Sequence, residues 1–364
     1  MRILYITNSP TIGGAELSLL SHLRTLNKDL FSITLLCSEK LFPYALNVSG
    51  ITVKKMHFYN LYSLNPVVIY RYFKMVRAIT TVIREEKVDI IHTNSVKAHY
   101  LGIFAALLSK KKLIWWMRDD TMNRLIYSLA RKIPHKIIFI SEYIASRFKT
   151  DLNTAIVYNG TDIYKNHISL LEIDRLKKHL GVENTTIILC TERLVLWKGV
   201  QVLIEALEKI KFYNFTCLIA GTGKDQRDDV EFSLIKRVGE LGLTKRVKFL
   251  GFRQDIGNLM QICDILVHPV IEPEPFGLVL IEAMSFQKSV ISSNLGGPKE
   301  IIHDGDDGIL IPAGNIDILA EKLVLLINNN KLREQIGKQA ELKVQNSFTQ
   351  EVETRSIEKI YFTI

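Results

Sequence analysis

Residues 186–210 read TIILCTERLVLWKGVQVLIEALEKI. Thr186–Cys190 is a short apolar run of the kind a buried strand needs, the charged loop 191–199 follows, and Val200–Ile210 continues as an amphipathic helix-length stretch. What matters is that this strand–loop–helix unit is a second beginning. Ahead of it, strand-like runs at Ile3–Ile6, Ile33–Leu36, Ile51–Lys54, Asp89–His92, Lys112–Trp116 and Lys136–Ile140 alternate with helical stretches such as Ala15–Leu26, Pro66–Glu86 and Ala98–Leu108. Behind it the alternation resumes through Phe215–Ala220, Glu231–Leu241, Val247–Leu250, Asp255–Ile262, Ile265–His268, Leu278–Ser285 and Ser289–Ser292. Alternation of this kind predicts parallel sheets flanked by helices, and two series predict two doubly wound α/β domains. The join is expected between Asn159 and about Asn184, giving domains 1–165 and 166–345.

The bulk composition agrees. A chain of 364 residues is too long for one compact core. With 47% hydrophobic and 23% charged residues it is globular, not disordered. No apolar run approaches the ~18 residues of a membrane span. The start, MRILYITNSP, stops being apolar at Thr7, too soon for a signal-peptide core, so a cytoplasmic location is expected. Cys37, Cys190, Cys217 and Cys263 are far apart in apolar surroundings, which reads as buried free thiols in a reducing compartment. Charge is lopsided: residues 1–155 hold 22 Lys and Arg against 10 Asp and Glu, a balance of +12 within a total of +9. An anionic partner for the front half follows. Nucleic acid is not expected, because no helix-turn-helix, zinc finger or RNP-like aromatic strand is present.

In open α/β sheets ligands bind beyond the carboxyl ends of strands, so the strand-to-helix loops carry the chemistry. In TIGGAE (11–16), Gly13 and Gly14 open a helix and can bring backbone amides to a phosphate, or form a plain turn. In TERLVLWKG (191–199), Arg193 and Lys198 can neutralise a diphosphate, or be a solvated pair. IAGTGKDQ (219–226) lacks the third glycine of a dinucleotide fingerprint, but Gly221 and Gly223 can still approach a nucleotide base. The strongest loop is HPVIEPEPFGLVLIEAMS (268–285), where Glu274 and Glu282 are separated by seven residues, one in a loop and the other in the helix after it. Carboxylates so placed accept hydrogen bonds from sugar hydroxyls. Asp304 and Asp306 spell a D-x-D but sit in a turn, and His92, His99 and His268 lack metal-ligand spacing, so no metal or cofactor is expected.

These loops, in order with DIIHTNS (89–95), VYNGTD (157–162) and GGPKEIIHDG (296–305), resemble the retaining glycosyltransferases of family 4, over nearly the whole chain. The resemblance implies the GT-B architecture, two Rossmann-like domains facing across a cleft. It implies Gly13 and Gly14 near the donor phosphates and Arg193 and Lys198 on the diphosphate. Glu274, with amides around Phe276, Gly277 and Leu278, would hold the transferred sugar, and Glu282 the ribose hydroxyls. A C-terminal helix within 346–364 would cross back to the first domain. Two positions depart from the family. Glu192 stands where glycine usually precedes the arginine, and strand alternation is expected to turn it away from Arg193. In WWMRD (115–119), Trp116 replaces the histidine that relatives place beside the sugar, which leaves Asn94, Trp116, Arg118 and Asp119 as candidate sugar or acceptor contacts.

The expected reaction moves a sugar from a nucleotide diphosphate sugar to a glycan or lipid-linked acceptor, in polysaccharide or glycolipid synthesis. Arg193, Lys198 and Glu274 would be catalytic, by front-face displacement without metal. A nucleotide-sugar epimerase and a donor-binding member without activity are the alternatives. The +12 balance, the aromatic and basic helix Pro66–Glu86 and Lys110–Lys112 predict peripheral attachment to an anionic membrane.

Overall fold

The apolar runs of the first series form β1 (Arg2–Ile6), β2 (Ser32–Cys37), β3 (Thr52–Lys55), β4 (Ile90–Thr93), β5 (Lys112–Met117) and β6 (Lys136–Phe139), joined by a short β7 (Thr154–Ile156). Those of the second form β8 (Thr186–Thr191), β9 (Phe215–Ala220), β10 (Val247–Gly251), β11 (Ile265–His268), β12 (Ser289–Ser293) and a short β13 (Ile309–Ile311). This is a computed structural model, which describes residues 1–8, 13–59, 65–223 and 230–364. The sheets run β3-β2-β1-β4-β5-β6-β7 and β10-β9-β8-β11-β12-β13. Every paired neighbour is parallel, so the fold is two Rossmann-like doubly wound sheets. Strand order reverses between β1 and β4 in one sheet and between β8 and β11 in the other. Each reversal leaves a crevice at the strand ends of its own sheet, lined by the loops after β1 and β4 in the first unit and by those after β8 and β11 in the second.

The chain divides into two units, Met1–Gly160 with Gln350–Ile364, and Thr161–Thr349. The divisions thus fall at 160 and 349, not at 165 and 345. Thr161 N–H donates to the Phe348 carbonyl at 2.9 Å and Thr161 bridges Thr349, which ties both residues into the second unit. The helix Gln350–Thr363 packs on the helix Gly14–Thr25 of the first unit. A buried polar chain secures it: Glu353 lies 3.3 Å from His22 Nδ1, and the Tyr361 hydroxyl meets Tyr5 and, at 2.6 Å, His92 Nδ1. All four cysteines are buried and free, as expected. Burial pushes the Cys37 thiol up to about 11 and Cys263 to about 12, which leaves both unreactive.

Candidate active site

At the reversal of the second sheet, the loop after β8 and the loop after β11 meet on one ammonium. Lys198 Nζ lies 2.8 Å from Glu192 Oε2 and 2.7 Å from Glu274 Oε2, with side chains 10%, 4% and 16% exposed. The other Glu192 oxygen takes the Nδ1 of buried His268, the last residue of β11. Burial would raise the Glu192 carboxyl, but Lys198 and then His268 outweigh it and hold it at about 2. Burial likewise works against the Lys198 ammonium, and the two glutamates reverse the effect and raise its pKa. Glu192 and Lys198 are therefore both charged at neutral pH. Arg193 is exposed, and both cations lie near the indole of Trp197, Arg193 at 5.8 Å and Lys198 at 4.5 Å from its centre. Trp197 also accepts from Ile271 N–H at 2.9 Å, which fixes one loop to the other.

The glutamate loop is held by two glycines. Glu274 bridges Gly296, and Gly297 N–H donates to the Glu274 carbonyl at 2.9 Å. A Cβ on Gly296 would meet that carbonyl oxygen at 2.3 Å, and one on Gly297 would meet Phe276 Cα at 2.4 Å. The GGPKE motif is thus a backbone cradle for Glu274. Phe276 is buried edge-on to Phe348, and Gly277, with φ +108°, caps the helix Leu278–Met284. Glu282 lies on that helix, half-buried, and burial first and the Asp162 carboxylate second push its carboxyl up to about 7.

That shift gives a testable pH dependence. The resemblance assigns Glu282 to the ribose hydroxyls, for which an ionised carboxylate is the better acceptor; on that expectation donor affinity should rise from pH 5.5 to about 7 and level off above it. Binding below pH 7 should release protons. Glu282→Gln should flatten the profile, and titration calorimetry in two buffers reads both effects. The sign for stability is opposite. The unfolded carboxyl ionises near its ordinary value while the folded one keeps its proton to about 7, so the donor-free protein loses stability as pH rises through that window.

Gly221 and Gly223 serve packing in this structure. Gly221, with φ +153°, leaves no room for a side chain, since its Cβ would fall 1.7 Å from the Glu192 carbonyl. Gly223 N–H donates to Glu231 Oε2 at 2.9 Å. Lys224, Asp225 and Gln226 of that motif, like Thr11 and Ile12 of the first, lie outside the described residues. Gly13 and Gly14 are exposed at the N-terminus of their helix, where Gly13 N–H donates to Glu16 Oε2 at 3.0 Å.

In the first unit, Asn94 follows β4 and Arg118 follows β5, and the structure joins them. Buried Arg118 donates to Asn94 Oδ1 at 2.8 Å, to Ser18 Oγ at 3.1 Å and to Asn159 Oδ1. Among the described residues Arg118 Nη2 and Asn94 Nδ2 find no partner, so both are donors in reserve. Trp116 belongs to the core: it is fully buried, edge-on to His22, beside His92 and 3.6 Å beneath the Arg118 guanidinium. Asp119 caps its own turn, accepting from Thr121 N–H at 2.9 Å and Thr121 Oγ1 at 2.6 Å. His268, Trp197, Asn159 and Ser18 were not singled out as site residues from sequence. His268 had a legible signal, as the last residue of a strand at the sheet reversal. Asp304 accepts Leu310 N–H at 2.8 Å inside its turn, and neighbouring Asp307 pairs with Lys343 at 3.0 Å.

Residues 12–165 match the family described as Glycosyltransferase Family 4, and residues 172–343 match Glycosyl transferases group 1. A glycosyltransferase of Methanocaldococcus jannaschii is 30% identical over 296 residues, 77% of each chain. The N,N'-diacetylbacillosaminyl-diphospho-undecaprenol alpha-1,3-N-acetylgalactosaminyltransferase of Campylobacter jejuni is 26% identical over 303 residues, 76% of this chain and 77% of that one. Among solved structures, Anabaena HepE in complex with UDP and glucose superposes with a TM-score of 0.87 at 27% identity, covering 100% of both chains. The two family matches fall one on each unit, on the loops built above, and the chain belongs to the group 1 and family 4 glycosyltransferases of GT-B fold.

Proposed function

We propose that this chain is a retaining glycosyltransferase that takes a sugar from a uridine diphosphate sugar and passes it to a glycan or lipid-linked acceptor. The observation that carries the reading is the ammonium–carboxylate cluster of Lys198 and Glu274 at the reversal of the second sheet, with Arg193 near the same Trp197 ring. Transfer breaks the bond between the anomeric carbon and a phosphate oxygen, and charge gathers on the leaving diphosphate. Fixed cations in a poorly hydrated site stabilise that charge. Buried Lys198 is a cation of this kind, exposed Arg193 adds a second charge near it, and Glu274 accepts from sugar hydroxyls. The uridine class draws on HepE, solved with UDP and with UDP-glucose, and the lipid-linked acceptor on the Campylobacter relative. Retention draws on family kinship and means attack from the face the diphosphate leaves. This reading gives no role to a metal; of the D-x-D pair Asp304 and Asp306, Asp304 already accepts Leu310 N–H within its turn. A second reading, donor binding without transfer, is favoured by the Glu192 carboxylate on Lys198.

One screen separates the two readings. Uridine diphosphate sugars should raise the melting temperature by mass action where guanosine and adenosine diphosphate sugars do not. With acceptor extract, product should form in EDTA with the donor's anomeric configuration, read by NMR. Binding without hydrolysis or transfer would favour the second reading. Loss of transfer on chelation, restored by Mn²⁺, would reassign Asp304 and Asp306.

The acceptor reading extends to a place of work, on the cytoplasmic face of an anionic membrane. Helix Pro66–Glu85 buries Met75, Val76, Ile79 and Ile83, while Tyr70 is 67% and Phe73 56% exposed beside exposed Arg71, Lys74 and Arg77. Phe104, Leu107 and Leu108 are exposed on the neighbouring helix Val96–Ser109, and the Tyr72 ring joins the two helices edge-on to Phe104 at 5.5 Å. Rings flanked by cations suit a headgroup boundary. No helix among the described residues is long and apolar enough to cross a membrane. Co-sedimentation should require anionic lipid and weaken with salt, each cation contributing about 1 kcal/mol. Neutralising Arg71, Lys74, Arg77 and Lys110–Lys112 should abolish it. Equal binding to neutral vesicles, or none at low salt, would leave a soluble acceptor.

A further inference from the structure

We infer that Glu192 is an internal stand-in for the donor's phosphate, holding the Lys198 ammonium in the empty protein and yielding it to the incoming diphosphate. It thereby sets how tightly a nucleoside diphosphate is held. The inference rests on the donor site proposed above and concerns a residue at which this chain departs from the glycine usual at that position.

Lys198 offers three N–H donors, and two of them are committed, to Glu192 at 2.8 Å and Glu274 at 2.7 Å. One positive charge is thus shared by two carboxylates before any ligand arrives. A diphosphate oxygen added to the same ammonium would face both carboxylates across a few ångströms, at a site where neither anion is well hydrated. One of them has to give way. Glu274 is the residue that sugar hydroxyls engage, and it loses nothing by keeping or leaving the lysine when they arrive. Glu192 has a second partner of its own, the Nδ1 of His268, which stays when Lys198 leaves. His268 Nε2 has no partner among the described residues.

The backbone makes the exchange a side-chain event. Glu192 N–H donates to the Ala220 carbonyl at 3.1 Å, and its own carbonyl lies against Gly221 so closely that a Cβ there would sit 1.7 Å away. The peptide of Glu192 is therefore pinned, whereas the four-carbon stem of Lys198 can swing. In the empty protein the carboxylate keeps that stem at its station. On donor arrival the ammonium moves from one anion to another, and Glu192 is left on the imidazole. The carboxylate thus acts twice: it pre-positions the lysine, and it subtracts from diphosphate affinity by competing for it. A merely structural ion pair would do only the first.

The distinction is measurable with UDP and uridine as probes, titrated calorimetrically against the wild-type protein, Glu192→Gln and Glu192→Gly. Removing the competing charge should tighten UDP binding at least tenfold in both variants while uridine, which lacks the diphosphate, changes less than twofold. UDP affinity within twofold of wild type, or weaker in either folded variant, would overturn the inference. Should both variants fail to fold, the wild-type protein decides it through a crystal structure with UDP. Lys198 Nζ is then expected on a phosphate oxygen and outside ion-pair reach of Glu192. A lysine still bonded to Glu192 in that complex overturns the inference. If the wild type binds neither UDP, GDP nor ADP, the donor reading itself fails and takes the inference with it, an outcome distinct from UDP binding that ignores position 192.

Discussion

Lys198→Ala and Glu274→Ala should each lower sugar transfer at least a hundredfold, the consequence of losing one transition-state contact of about 3 kcal/mol. The two substitutions are not equivalent for the fold. Glu274→Ala leaves Lys198 paired with Glu192, so that variant should melt close to the wild type and its lost activity can be read directly. Lys198→Ala leaves the carboxylates of Glu192 and Glu274 together in a site where they are 4% and 16% exposed, with His268 still on Glu192. Breaking a buried pair by removing one partner costs about 3–5 kcal/mol. A marked fall in melting temperature is therefore expected for Lys198→Ala, and the double variant Glu192→Gln with Lys198→Ala should recover part of it without recovering transfer. Near-normal turnover by folded Glu274→Ala, or by the double variant, would remove that residue from the mechanism. Recovery of both stability and transfer in the double variant would make Lys198 a structural counter-ion only.

The sequence carried the fold where strands are long, apolar and central. Phe215–Ala220 and Ile265–His268 stand in the structure at the residues where they were read. The edge strands Thr154–Ile156 and Ile309–Ile311 went unread because three residues show no period. Site residues grouped by motif are grouped in space only in part. Lys198 and Glu274 meet, as do Asn94 and Arg118, because each pair lies at the carboxyl ends of strands near a sheet reversal, which sequence order can imply. The partner of Glu192 could not be read this way. Alternation along β8 tells which face a residue takes, and Glu192 lies one residue past the strand's end, where the period stops. Its meeting with His268, 76 residues on, depends on β8 and β11 being neighbours. Trp116 illustrates the same limit. A motif match assigns the position, but whether the side chain faces a ligand or the core depends on what packs around it, and here His22, His92 and Arg118 enclose the indole.

Deleting Gln350–Ile364 should unfold the first unit, although the deletion touches none of its strands. Ile357, Ile360 and Tyr361 are buried in that unit, and leaving each such side chain unburied forfeits about 1.5–3 kcal/mol. The loss recurs on the faces they cover, Phe31 among them, whose ring lies 5.4 Å from that of Tyr361. Polar groups add to it. Without the helix, His22 loses Glu353, and His92 and Tyr5 lose the Tyr361 hydroxyl. A buried group left unsatisfied costs about 1–3 kcal/mol, and the whole stability of a domain is only about 5–15 kcal/mol. Glu353 also accepts Gly160 N–H at 2.6 Å, next to Asn159, which holds the Arg118 guanidinium. Glu353→Ala should therefore loosen the Asn94–Arg118 cluster as well as destabilise the unit. The truncated chain should lose the cooperative melting of its first unit and yield to protease between residues 1 and 160, while residues 161–349 stay resistant. Tyr361→Phe, which removes one hydroxyl and keeps the ring, should cost about 1–2 kcal/mol and leave the fold intact. A truncated chain that melts within a few degrees of wild type would show that the first sheet carries its own stability and that the returning helix is an ornament on it.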